Sequence, residues 1–530
     1  MIKADDRDQL LQQVAPTPQT PGTQWDVIVI GGGVVGAGIF KFATQLGQKV
    51  LLLEQKDFAW GSSSRSSKMV HGGLRYVAEG QYKLTKEAVE EREILIDKAQ
   101  GLVESKSYVM SHFRWKWPGL RLFTILMWIY SHFAGKKQHR LLSANDYKML
   151  MPGVKSDKLR GGTQYVDALT DDARLVFRLI QEAKSHGGVA LNYCKVESLI
   201  RDDNEVVTGV MAKAEGLEQP LELTAKMVIN ATGAWASQLD SQVIIRPLRG
   251  SHVLVPSWRL PISNVVTLLH PKDRRPVMIY PWQNTTLIGT TDVDHSESLD
   301  NEVRMTATEL DYLLVAVNSQ FPNAKLQQDD VISTYAGVRP IVLDHPFDPN
   351  VPAGHEKRVH SLFSQPGFIT VTGGKLTTFR VIANEVLAEA AKTLNLTLPL
   401  ADFELFSNAS SDDASYLAGR YGRFLEQFIA ESDDPGLMAP IRYSKILWAE
   451  LVFAAKYEQV MHLDDLLLRR TRLGNVLPEG AKAELAEIQR LCQPHMSWSD
   501  SQWQQEIARY LDIWQQFYSL PTNNSTSQPS

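Results

Sequence analysis

The chain has 530 residues, 44% of them hydrophobic and 22% charged, the make-up of a globular protein of several domains and not of a collagen-like, coiled-coil or wholly disordered one. Fifty-five Lys and Arg against 60 Asp and Glu leave a formal charge of −5, which disfavours a protein dedicated to nucleic acid. Cys194 and Cys492 are too few for an Fe–S cluster or a Cys-rich zinc site and too far apart for a CxxC motif, so no metal centre is expected and a reducing cytoplasm fits.

Residues 1–24 have no apolar signal-peptide core and read as a flexible N-terminal tail; residues 520–530 read as a second. An apolar strand is predicted at Trp25–Ile30, then Gly31-x-Gly33-x-x-Gly36, a helix through Leu46 ended by Gly47, and a strand at 49–54: a βαβ unit suited to a parallel sheet. A helix is predicted over 85–99. Leu122 to Ala134 carries no Asp, Glu, Lys or Arg, and Leu122, Ile125, Leu126, Ile129, Tyr130 and Phe133 share one helical face. Arg114, Lys116 and Arg121 precede that run, Lys136, Lys137 and Arg140 follow it, and Trp115, Trp117 and Trp128 lie nearby. The pattern fits a helix lying in a membrane interface as well as it fits a core helix with solvated flanks. Asp171 and Asp172 are placed to cap a helix from Ala173. Strands are predicted at 206–211 and 226–230, a mixed sheet over 246–330, a helix opened by Gly373-Gly374, and mainly helical structure beyond residue 405.

The chemistry sits in a few strings. In its strand–turn–helix context, Gly31 makes a tight turn, Gly33 lets a pyrophosphate approach the backbone, and Gly36 lets the helix pack closely. Glu54, ending the next strand, suits ribose hydroxyls. The loop that follows offers hydroxyls from Ser63, Ser66 and Ser67 and charge from Lys68 to phosphate oxygens, and runs into His71-Gly-Gly-Leu-Arg75-Tyr76. The NATG turn contributes Thr232 and Gly233, and GGKLTT contributes Gly374, Lys375, Leu376 and Thr377 at a helix start that would stabilise negative charge on a reduced flavin.

Together with DALTDDARLV, RGSHVLVP, IGTTDVD, YAGVRP and LDDLLLRRTRLG, these strings closely resemble the FAD-dependent, quinone-linked aerobic glycerol-3-phosphate dehydrogenases of the D-amino-acid-oxidase-like flavoprotein superfamily. The resemblance implies an α/β fold. A discontinuous Rossmann-like FAD-binding domain would occupy 25–100, 160–245 and 331–398, a mixed-sheet substrate cap 101–159 and 246–330, and an all-α domain 399–519. It implies FAD as cofactor, sn-glycerol 3-phosphate as substrate, and a membrane quinone as acceptor. The protein is expected to be cytoplasmic and peripherally attached to an anionic inner membrane face, with a homodimer left open. Arg75, Tyr76, Arg339, Arg358 and Lys375 match substrate-contacting positions, with Lys357 able to share the role of Arg358. His252 matches an active-site histidine and is the favoured base, with His71 and Arg339 as rivals for that role; Arg339 and Lys375 are expected beside the reacting carbon, His71 to pack on the cofactor, and Val196 and Gly337 to border it. Asp292 is read as a turn residue. The changed centre of the aspartate-rich stretch at 165–172 departs from the family pattern. A glycerol-3-phosphate oxidase, which would carry a central insertion not evident here, is the nearest alternative; an NAD-dependent dehydrogenase or a flavin-binding sensor without turnover are further ones.

Overall fold

A computed structural model describes residues 7–14, 24–74, 77, 80–116, 118–345, 347–348, 351, 359–397, 404–407 and 416–521. Two sheets organise them. The first contains β1 (Trp25–Ile30), β2 (Val50–Leu53), β7 (Val189–Leu191), β10 (Leu221–Asn230), β17 (Ser361–Gln365) and β18 (Phe368–Thr372) in the order β17-β18-β10-β1-β2-β7; β8 (Cys194–Arg201) and β9 (Val207–Ala214) attach through β10. Its centre is parallel: β1 pairs with β2 and β10, and β10 with β18. Parallel strands covered on both faces read as unbroken apolar runs, as WDVIVI and VLLL do.

The alternation of side chains along β1 explains both layers. Val27 and Val29 face helices α2 (Val34–Gln45), α5 (Asp172–Ser185) and α7 (Phe379–Leu394); Ile28 and Ile30 face the β8–β9 side. Helix α1 (Arg7–Val14) covers that second side. Residues 7–14 were expected within a flexible tail. They are instead anchored by buried Leu11 and Val14 and by Arg7, whose guanidinium donates to Asn192 O at 2.9 Å and Glu215 O at 3.1 Å.

The second sheet runs β15-β11-β14-β13-β12-β4-β6-β3, with β16 on β11 and β5 on β6. It comprises β3 (Met69–Val70), β4 (Val103–Phe113), β5 (His139–Ser143), β6 (Leu159–Thr170), β11 (Ile244–Pro256), β12 (Val265–Leu269), β13 (Pro276–Trp282), β14 (Thr285–Gly289), β15 (Val293–Asp294) and β16 (Ser333–Leu343). Three of these strands differ from the expected domain boundaries. β3, β6 and β16 fall within stretches assigned to the cofactor domain, yet they complete the cap sheet; β16 pairs with β11 from Ile244↔Leu343 to Leu254↔Ser333. The chain therefore crosses between the sheets beside the cavity that separates them.

One face of this sheet packs on α6 (Ala307–Gln320) through Val253, Val255 and Ile288; the other, through Leu254 and Tyr280, meets the C-terminal helices. Helix α3 (Tyr82–Lys98) and helix α4 (Leu120–Phe133) lie at the β6 end. The C-terminal segments dock on the cofactor domain by buried charge: Asp57, just after β2, takes Arg469 Nε and Arg470 Nη1, both at 2.5 Å. No helix among the described residues is long and apolar enough to cross a membrane.

Candidate active site

The glycine turn works as its spacing predicts. Gly31 has φ +108°, and a Cβ there would sit 2.6 Å from Ala231 O, so the turns after β1 and β10 press backbone to backbone. A Cβ on Gly36 would lie 1.9 Å from Gly31 O, which is why the first turn of α2 can tuck under the loop. A Cβ on Gly33 would lie 3.2 Å from the Oγ of Ser63, which accepts from Val34 N at 2.9 Å. Glu54 accepts from Gly32 N at 2.6 Å and Lys56 N at 2.9 Å; burial raises its pKa, against the pull of those two donors. Its carboxylate keeps further lone pairs for a ribose.

These groups open onto a cavity of about 1390 Å³ between the two sheets. The turn contributes Gly31 and Gly33 to its wall, with Glu54, Ser63, Ser66 and Ser67. His71, Val196, Thr232 and Gly233 border it further along, and Gly374, Lys375, Leu376, Thr377 and Arg339 close it. Fifteen separate sequence expectations thus converge on one space. A long, partly polar ligand with a diphosphate fits the cradle: the close-packed glycines leave backbone N–H groups at the start of α2, and a side chain at Gly36 would push the turn out. Arg75, Tyr76, Arg358 and Lys357 lie outside the described residues.

Besides Gly36, three predicted residues stand behind the wall. Gly337 lets β16 pass the serine loop, since a Cβ there would meet Arg65 Cβ at 2.7 Å. Lys68 was expected to offer its charge to phosphate oxygens. Its ammonium is instead buried against Asp172 Oδ1 at 2.8 Å and Ser64 O at 3.2 Å. Burial, with Arg472 nearby, lowers its pKa to about 8 despite Asp172. Asp172 also accepts from Ser66 N at 3.0 Å and pairs with Arg472, so the aspartates read as helix caps tie the serine loop to the C-terminal domain.

His252 is the third. It is fully buried on β11, stacked on Tyr335 with ring centroids 4.7 Å apart, and lies 2.9 Å from Ser67 Oγ through Nε2. Ser67, not His252, forms the cavity wall. Burial, then the charges of Arg339 and Lys68, hold its pKa well below 6.5, so the ring is neutral at physiological pH. Gly289 makes room for it: a Cβ there would meet the ring at 2.1 Å.

Arg339 on β16 projects over Gly250, where a Cβ would lie 2.4 Å from its Nη2. Its Nη1 pairs with Asp292 at 3.0 Å and its Nη2 donates to Thr290 Oγ1 at 3.0 Å. Asp292 is fully buried at its side chain and also binds Arg275 at 2.7 Å, so one carboxylate orients two cavity-lining guanidiniums. Neither the anchoring role of Asp292 nor Arg275 emerged from the sequence. GTTD was visible only as a turn, and DRRP carries no spacing that marks it.

The cavity has an apolar lobe. Tyr108, Met110, Leu269 and Met278 from the cap sheet meet Phe123 and Leu126 of α4 there. The face of α4 expected to be continuous is therefore divided. Phe123, Met127 and Tyr130 are buried and Leu126 faces the cavity, while Leu122, Ile125 and Trp128 point outward at 43%, 58% and 65% exposure.

Comparison with known proteins agrees with this architecture. The family model "FAD dependent oxidoreductase" matches residues 26–380, and "C-terminal domain of alpha-glycerophosphate oxidase" matches 369–503. The chain is 31% identical over 490 residues to the aerobic glycerol-3-phosphate dehydrogenase of Staphylococcus haemolyticus, covering 84% of this chain and 86% of that one. It is 31% identical over 522 residues to glycerol-3-phosphate dehydrogenase 2 of Mycobacterium tuberculosis, with coverage of 92% and 88%. Among solved structures, the FAD complex of the glycerol-3-phosphate dehydrogenase from Bacillus halodurans superposes with a TM-score of 0.74 at 26% identity, covering 96% and 97% of the two chains. The fold, the cavity and these likenesses place the chain in the FAD-dependent oxidoreductase family, in its glycerol-3-phosphate dehydrogenase/oxidase branch.

Proposed function

We propose that this protein oxidises sn-glycerol 3-phosphate at C2 to dihydroxyacetone phosphate and hands the electrons to a membrane quinone. The observation that carries the reading is the meeting, in one cavity, of the dinucleotide cradle with Arg339 and Lys375. FAD held by the Gly31–Gly33 turn, Glu54 and Ser63 would supply the hydride acceptor. Arg339, held by Asp292 and Thr290, polarises the carbinol oxygen, and Lys375 contributes charge where substrate and cofactor meet. By resemblance, Arg358, with Lys357 able to share the role, binds the phosphate, and Arg75 and Tyr76 belong to the substrate pocket. His252 reaches the carbinol only through Ser67: with Ser67 Oγ held 2.9 Å from Nε2, the serine oxygen accepts from the carbinol hydroxyl and orients it for loss of its proton.

The quinone half of the reading is supported by the apolar lobe beneath α4 and by the outward row Leu122, Ile125 and Trp128 beside basic flanks. On this reading α4 lies in the headgroup region of the inner membrane face and an acceptor enters from the lipid. Anaerobic mixing with sn-glycerol 3-phosphate is expected to bleach the flavin, and a short-chain quinone to restore its colour faster than dissolved oxygen does. Reoxidation by oxygen at the rate of turnover would make the protein an oxidase and overturn the acceptor assignment. Flotation with anionic vesicles checks the docking; Ile125→Glu with Trp128→Glu is expected to abolish it.

A further inference from the structure

A buried polar cluster that has no part in the assigned chemistry reaches the cavity wall. On α3, Arg92 Nη1 donates to Asp167 Oδ1 at 2.6 Å and to Val166 O at 3.0 Å. Asp167 is a cavity residue of β6, and the same Oδ1 accepts the hydroxyl of Tyr130 on α4 at 2.6 Å. The Tyr130 oxygen in turn accepts from Gly72 N at 2.8 Å and from Arg92 Nη1 at 3.2 Å. One donor and two lone pairs are then all used. Arg92, Tyr130 and Asp167 are each at most 3% exposed, so the cluster is shielded from bulk water.

Gly72 belongs to the turn 71–74, and His71, Gly73 and Leu74 of that turn line the cavity. On one side the turn is fastened to the GGKLTT loop, His71 N donating to Thr377 Oγ1 at 3.2 Å. On the other side it is fastened by the Tyr130 hydroxyl. A Cβ at Gly72 would sit 2.5 Å from that oxygen and 2.3 Å from Val89 Cγ2, so the approach needs glycine. Without the hydroxyl, Gly72 N keeps only Asp167 Oδ1 at 3.4 Å. A weak, long bond of that kind fixes a backbone poorly.

We infer that Tyr130 is a positioning residue for the oxidation: oriented by Arg92 and Asp167, its hydroxyl fixes the 71–74 turn, and with it the cavity wall against which the carbinol meets the cofactor. This rests on the reading of the reaction given above. Tyr130 touches no reacting atom and acts through Gly72. A network that merely filled the core would contribute to stability and leave the bound flavin and its reduction unchanged.

The test uses holoenzyme carrying Tyr130→Phe, with Met127→Leu as control. Met127 is equally buried on the same helix, and both changes are small. Three quantities are read: the limiting rate of anaerobic flavin reduction by sn-glycerol 3-phosphate, the dissociation constant of dihydroxyacetone phosphate from the flavin difference spectrum, and the visible circular dichroism of the bound flavin. Tyr130→Phe is expected to slow reduction about tenfold or more, as misplacement of a reacting group does, to weaken product binding, and to alter the flavin dichroism. Met127→Leu should leave all three within twofold. The double variant Arg92→Gln/Tyr130→Phe should cost no more than the larger single change, since both act on one contact. The inference is overturned if Tyr130→Phe matches wild type in rate and affinity, or if Met127→Leu reproduces the losses. Should Tyr130→Phe not accumulate with flavin, Arg92→Gln is judged by the same thresholds. A wild-type flavin that sn-glycerol 3-phosphate does not bleach would sink the functional reading alone, because the dichroism still reports the turn.

Discussion

Asp57→Asn offers a stringent test of how the C-terminal helices are held. The carboxylate receives Arg469 Nε and Arg470 Nη1 at 2.5 Å, Arg470 Nη2 at 2.8 Å and Asn192 Nδ2 at 3.1 Å, with no exposure to solvent. Burial alone would raise its pKa; Arg470 and Arg469 outweigh that and keep it low. The substitution keeps the shape and removes the charge. Arg469 retains Asp464 at 2.7 Å and Asp465 at 2.5 Å, but Arg470 keeps chiefly the carbonyls of Glu458 and Gln459. Breaking a buried pair from one side costs about 3–5 kcal/mol, a large share of the roughly 5–15 kcal/mol that holds a typical fold. The change should appear as a lowered first transition in urea, followed by tryptophan fluorescence, with flavin released in the same step. Asp57→Asn combined with Arg470→Met should recover part of the loss, because the stranded charge is gone. A shift equivalent to less than about 1 kcal/mol in the single variant would refute the reasoning, since it would show that the arginines find other partners at no cost.

Other outcomes follow from the same geometry. Gly36→Ala sets a methyl against Gly31 O and is expected to weaken FAD binding by about tenfold or more, read by flavin fluorescence titration. Asp292→Asn should slow flavin reduction about ten- to a hundredfold at unchanged flavin content, the equivalent of about 1.5–3 kcal/mol for a charged hydrogen bond to Arg339. His462 lies 3.0 Å from Glu506 and 3.4 Å from Glu215; although burial lowers its pKa, these carboxylates raise it to about 10. Its stabilising contribution is therefore complete below about pH 6.5, the unfolded value, and lost as pH rises towards 10. The melting-temperature gap between wild type and His462→Gln should be widest near pH 6 and close by about pH 10.

Much of the cradle was legible because its determinants are local. A glycine at positive φ, a helix start and an acidic strand end lie within one βαβ unit, so spacing alone gives their relation. The misreadings share a different cause. The sequence around Lys68 shows a cation in a phosphate-like loop, but its partner Asp172 lies 104 positions away. β16 looks like any cofactor-domain strand until its register with β11 is seen. The α4 periodicity was visible, but not that the helix has apolar contacts on two sides; Phe123 sits between the outward positions and meets the cavity. Residues 7–14 are too polar on average to announce that Leu11 and Val14 find a buried seat.

The interleaving of the two sheets also has a consequence for biosynthesis. The central strand β1 emerges early and can pair with β2 at once, but its other neighbour, β10, ends at Asn230, and β18 on the far side of β10 ends at Thr372. Asp57 waits longer still, for arginines 412 and 413 positions downstream. During translation the growing chain thus carries an open parallel edge until Thr372 has been made, about seven-tenths of the 530 residues, and an Asp57 carboxylate without its arginine partners until almost nine-tenths. Long-range parallel pairing of this kind is slow and exposes apolar surface. Ribosome pausing or early termination before the Arg469–Arg470 pair should therefore yield insoluble fragments and not a smaller working domain.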